Sequence, residues 1–182
     1  MNDSPLYLAK PDLVHYEAYR AMREEWLADG SQLSPWFLNL PVNSIEDFAR
    51  LVKQLNDAQF ANADPGYCTT TSYLVFDRAG TLVGASSLRH YLTLEGIRYF
   101  GHIGYGIRPG QRRKGYAKEV LRLMLAEAKR MKLYRVLLGA HDTNVGSCKT
   151  IEACGGVLEN IVPDPEDETQ LVKRYWIDIQ PD

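Results

Sequence analysis

Apolar positions along this chain recur at two periods, near two and near 3.6 residues, and the switches between them predict its elements. Leu6-Tyr7-Leu8-Ala9 reads as a first strand, stopped by Pro11. Asp12 can cap a helix in which Val14, Ala18, Met22 and Trp26 recur at helical spacing, with Gly30 as its stop. Residues 31–41 hold two prolines and the pair Trp36-Phe37, the pattern of a loop that packs down or lines a pocket. Ser44 caps a second helix, with Asp47 as a capping-box-like partner and Ile45, Phe48, Leu51, Val52 and Leu55 as its buried face.

A turn-rich break at 62–66 precedes strands at 70–77 and 81–92, joined by Asp77-Arg78-Ala79-Gly80. A further strand at 99–108 is interrupted by Gly101, Gly104 and Gly106, which suits the close approach of another chain or a ligand. The clearest helix covers 115–132, with Ala117, Val120, Leu121, Met124, Leu125 and Ala128 in one stripe. A strand at 135–140, a short helix at 144–153 closed by Gly155-Gly156, and strands at 157–162 and 171–179 follow. The order predicts one α/β domain over 1–182, a mixed sheet with helices on both faces.

Composition changes this picture little. The 182 residues are 45% hydrophobic and 24% charged, a globular balance in a length that can bury its own core. The net charge of -2 argues against nucleic acid as the main partner. Three cysteines, Cys68, Cys148 and Cys154, match no zinc or redox spacing and read as reduced thiols. No metal site is expected. The N-terminus lacks a signal-peptide pattern, and no apolar run approaches the roughly 20 residues of a membrane span. The expectation is a cytoplasmic protein with no membrane partner, and a homodimer stays open.

Candidate chemistry concentrates in Ile107-Arg108-Pro109-Gly110-Gln111-Arg112-Arg113-Lys114-Gly115-Tyr116-Ala117, between a strand and a helix. Pro109 ends the strand, and small residues open the helix, whose first N–H groups attract anions. Arg112, Arg113 and Lys114 add positive charge. The spacing fits neither a P-loop nor a dinucleotide Gly-x-Gly-x-x-Gly.

Arg112-x-x-Gly115-x-Ala117, after a strand ending Ile107-x-Pro109, resembles the acyl-CoA-binding signature of GNAT-type N-acetyltransferases. Asn144-x-x-Ser147 and the helix ending in Gly155-Gly156 resemble the second motif of that family. The stretch Gly101-His102-Ile103-Gly104-Tyr105 is similar to a bacterial branch of unsettled substrate. The resemblance implies a GNAT-like fold, a central, mostly antiparallel sheet splayed at the cofactor site, and acetyl-CoA as co-substrate. It places the pyrophosphate on the amides of Gln111, Arg112, Arg113, Lys114, Gly115, Tyr116 and Ala117. The pantetheine arm would pair along Tyr105 and Ile107, with Gly104 and Gly106 opening that strand edge, and Asn144 and Ser147 would contact it.

The implied reaction is direct attack of a primary amine, on a small molecule or peptide, on the thioester carbonyl. His102 stands where many members have a glutamate and is the candidate general base. Its bland alternative is a buried structural histidine. Glu95, His90, His141 and Asp142 are weaker base candidates. The family often carries a tyrosine acid seven residues after the motif asparagine, and this chain has Ile151 there. Cys148, Ser147 or water then becomes the candidate acid. Trp26, Trp36, Phe37 and Tyr91 are candidates for the acceptor pocket or the core, and the acidic Asp164, Glu166, Asp167 and Glu168 for a cation site or a solvated loop. Two other readings stay open: a catalytically silent acyl-CoA sensor, and a nucleic-acid or protein-interaction module.

Overall fold

The structure is a computed structural model that describes residues 4–60, 68–94, 101–164 and 167–181. The break expected at 62–66, Glu95, Glu166 and the strand start expected at Tyr99 lie outside the described residues.

Strands β1 (Leu6–Ala9), β2 (Thr70–Asp77), β3 (Leu82–Arg89) and β4 (Ile103–Ile107) form one antiparallel sheet in the order β1-β2-β3-β4. Strands β5 (Arg135–His141), β6 (Val157–Pro163) and β7 (Leu171–Asp178) form a second, in the order β5-β7-β6. The expected mixed sheet is therefore two antiparallel pieces. They meet at the β4–β5 edge, where Gly101 bridges Leu138 and the His102 N–H donates to the Leu137 carbonyl at 2.7 Å.

Helices α1 (Tyr16–Asp29) and α2 (Ile45–Asp57) cover one face, and α3 (Tyr116–Arg130) and α4 (Val145–Ala153) the other. Each follows its apolar stripe. Val120, Leu121, Met124 and Ala128 of α3 are wholly buried against Val75, Val83, Ile103 and Val136. Burial of each large side chain there contributes about 1.5–3 kcal/mol. Tyr19, Met22 and Trp26 of α1 meet Phe48, Leu51 and Leu55 of α2 over Leu74, Phe76 and Ala85.

Two stripe positions differ from expectation because they sit at element ends. Val14 is 84% exposed in a 3-10 turn, Leu13–His15, that precedes α1, and Ile45 is exposed at the first position of α2. The Ser44 side chain accepts the Asp47 N–H, while the Asp47 carboxylate reaches Asn43 rather than Ser44. Among the described residues, no helix is long and apolar enough to cross a membrane.

Candidate active site

Side-chain alternation on β4 sorts its residues between the two faces. Ile103, Tyr105 and Ile107 pack into the core beneath α3 and α4. Gly104 and Gly106 face α1 and the loop after it. A Cβ on Gly106 would lie 2.2 Å from the Ser34 carbonyl oxygen and 2.7 Å from the Trp26 ring. The small residues thus admit the protein's own loop, not a ligand, which corrects the reason inferred from sequence. Ser34 Oγ also donates to the Tyr105 carbonyl at 3.0 Å, and Arg112 Nε to the Ile107 carbonyl at 3.1 Å. The neighbouring bonds, Arg89 N–H to the His102 carbonyl and Arg108 N–H to the Val83 carbonyl, turn the even-numbered residues toward β3. The N–H groups of Tyr105 and Ile107 then point at the β5 side, where the sheets part.

After β4 the chain makes a 3-10 turn, Pro109–Gln111, and rises into α3 through two left-handed residues, Arg113 (φ 65) and Gly115 (φ 80). Gly115 is the N-cap of α3 and has no side chain to satisfy the first turn. Among the described residues, none accepts a hydrogen bond from the backbone N–H groups of 113–118. Unbonded amides at the positive end of a helix dipole are able to accept an anion. Arg113 and Lys114 are exposed beside them, and Tyr116 and Ala117 are half-buried on the core.

Two expected cradle residues do other work. The Gln111 N–H donates to the Arg108 carbonyl, and its side chain accepts from Lys114 Nζ at 2.8 Å. The Arg112 N–H donates to Pro109, and its guanidinium binds Asp29 at 3.0 Å, Ser31 Oγ at 2.7 Å and the face of Trp26. Both are corrected from phosphate ligands to braces of the loop. Sequence reasoning missed their counterparts on α1. Glu25 accepts from the Gly110 N–H at 2.5 Å and from Arg108, and Asp29 holds Arg112. Burial works against the Glu25 carboxylate, but the bonds from Gly110 and Arg108 outweigh it and keep its pKa below the usual range.

Asn144 caps α4, its Oδ1 accepting the Ser147 N–H at 3.0 Å. The residue is exposed, and its amide nitrogen makes no hydrogen bond among the described residues, so the cap leaves two donors for a ligand. Beneath α4, the Tyr105 hydroxyl is buried beside Ser147 and Thr150 with no hydrogen bond of normal geometry among the described residues. Burial pushes its pKa up to about 12.

The proton-transfer candidates divide sharply. His102 Nδ1 accepts the Leu137 N–H at 2.9 Å, so its lone pair is used and the remaining ring nitrogen carries the proton. Burial and the nearby Arg89 charge lower its pKa to about 4. His102 is therefore corrected from general base to structural weld, since a base needs a free lone pair and a pKa nearer 7. Cys148 is corrected likewise: its thiol is buried and donates to the His141 carbonyl. Ile151, in the position expected for a tyrosine acid, is 1% exposed in the core. His90 Nε2 is bound to Thr71 Oγ1 at 2.9 Å. Trp26 and Phe37 are core residues, whereas Trp36 and Tyr91 are exposed.

The same architecture recurs among solved structures. RimL, a ribosomal L7/L12 alpha-N-protein acetyltransferase in complex with coenzyme A, superposes with a TM-score of 0.74 at 22% identity, over 100% of this chain and 97% of that one. The microcin C7 self-immunity acetyltransferase MccE, in complex with acetyl-CoA and AMP, gives 0.69 at 18% identity, over 98% and 94%. A dodecameric spermidine N-acetyltransferase from Vibrio cholerae gives 0.64 at 20% identity, over 96% and 94%. No curated protein matches the chain. Residues 6–157, which hold β1 to β5, the capless α3, α4 and the start of β6, match the acetyltransferase (GNAT) domain, and the chain belongs to that family.

Proposed function

We propose that this protein transfers an acetyl group from acetyl-CoA to a primary amine by direct attack. The observation that carries the reading is the run of unbonded amides at 113–118, at the start of a helix with no side-chain cap. A pyrophosphate supplies the acceptors those amides lack, and Arg113 and Lys114 add charge to the same anion. The pantetheine arm lies in the cleft where the sheets part, its carbonyls meeting the N–H groups of Tyr105 and Ile107 and the Asn144 amide. Ser147 lies at the same opening. The amine approaches along the 31–41 loop, which packs over Gly104 and Gly106. It is a small-molecule amine or a peptide amine, as in the spermidine and ribosomal-protein acetyltransferases of this fold.

Thermal denaturation with acetyl-CoA, followed by thiol release across an amine panel, tests this reading. A ligand of the folded state must raise the melting temperature. No shift at saturating acetyl-CoA removes the cradle assignment.

Ile151 favours a second reading, a silent acyl-CoA sensor, because the usual acid position is occupied by a core residue. A melting shift without thiol release from any amine would select it.

A further inference from the structure

The face of β5 away from α4 carries a second histidine. Val136, Leu138 and Ala140 pack into the core with α3 and α4, so Leu137, Gly139 and His141 face the other way. That is the face of Gly104 and Gly106, and of His102, whose ring lies against Trp176, the partner of Leu137. The two histidines thus share the face turned away from α3 and α4. His102 closes the joint at Leu137. His141 stands four residues further along β5, roughly 13 Å at strand rise, on the open arm.

His141 also has a different partner. Its Nε2 lies 2.6 Å from Asp164 Oδ2, and the side chains are 24% and 13% exposed. Asp164 is itself held by the loop between β6 and β7, its N–H donating to the Gln170 carbonyl and its Oδ1 accepting the Asp167 N–H. A carboxylate on Nε2 selects the tautomer with the proton there and leaves the Nδ1 lone pair available. The His141 carbonyl accepts from the Asn144 N–H, so its backbone is tied to the cap that opens α4. Other charges near it are Asp142, Asp167 and, from β7, Arg174 bound to Glu159.

We infer that His141 is the general base of the acetyl transfer, with Asp164 as its positioning residue. The inference rests on the acetyltransferase reading. His141 Nδ1 takes one proton from the substrate ammonium, directly or through one water, and passes it to solvent. The freed nitrogen pair forms the C–N bond at the thioester carbonyl, and the C–S bond breaks with its electrons on sulfur. The second proton of the former amine neutralises the thiolate, so the products are the amide and coenzyme A thiol.

The test uses the full chain, acetyl-CoA, and spermidine and a free N-terminal peptide as amines. His141→Gln should lower kcat/KM about 100-fold near pH 7, and the acetyl-CoA-induced melting shift should stay intact. The loss should shrink toward pH 10, where the amine deprotonates unaided. Asp164→Asn should cost about 10-fold alone and nothing further in the His141→Gln background, since a positioning residue acts only through its partner. Should His141→Gln fail to fold, Asp164→Asn and its pH profile decide alone. A His141→Gln variant within threefold of wild type, or additive losses, would overturn the dyad while acetyl transfer stands. A wild-type protein that binds acetyl-CoA but releases no thiol with these or any amine of the panel overturns the enzyme reading, and the dyad with it.

Discussion

The backbone N–H of Leu137 donates to Nδ1 of His102 at 2.9 Å, while the His102 N–H donates back to the Leu137 carbonyl at 2.7 Å. This reciprocal pair joins two sheets that otherwise part. It also commits the imidazole to its neutral form.

The pH dependence of stability follows. The folded pKa of His102, about 4, lies below the value of about 6.5 in an unfolded chain. The unfolded state therefore binds the proton more tightly. The stabilisation is complete above pH 6.5 and is lost as pH falls toward 4, by about 3 kcal/mol at the limit. Melting temperature against pH should show this fall, and His102→Gln should flatten it. An unchanged profile in the variant would remove the assignment.

Arg112 and Arg113, neighbours in sequence, should separate in measurement. Arg112→Ala removes the ties to Asp29, Ser31 and Ile107 and should cost about 1–2 kcal/mol of stability. Arg113→Ala should leave the melting temperature unchanged and weaken acetyl-CoA about 3- to 10-fold, an effect that fades with salt. Calorimetric titration at two ionic strengths checks both.

Asn144→Asp keeps an oxygen for the Ser147 N–H and so keeps the helix cap. It removes the two amide donors. Stability should hold within about 0.5 kcal/mol while acetyl-CoA binds about 10-fold more weakly. Asn144→Ala should lose both cap and affinity, with about 1 kcal/mol of stability.

Gly106→Ala places a methyl group against the Ser34 carbonyl and the Trp26 ring. The loop or β4 must move, at about 1–3 kcal/mol. Because the displaced loop borders the proposed acceptor side, KM for the amine should rise more than KM for acetyl-CoA. Steady-state kinetics with each substrate varied in turn tests this.

Local chemistry made much of the site legible. The stripe of α3, the stop at Pro109, the small residues at 115 and 117 and the Asn144 cap each act within a few residues, so their signals are local too. Glu25 and Asp29 gave no such signal. They look like ordinary helix charges until α1 folds against the loop 83 residues away.

The sequence by itself determined the elements, their order and the start of α3 with its first N–H groups, because periodicity, capping and helix termini are properties of short segments. Only the tertiary structure decided which polar side chains remain available for chemistry. His102 and His141 are chemically identical in the sequence. One loses its lone pair to the Leu137 N–H, and the other meets Asp164 across a 23-residue separation. A side chain's hydrogen-bond partner sets which nitrogen carries the proton, and that partner is chosen only when distant strands come together.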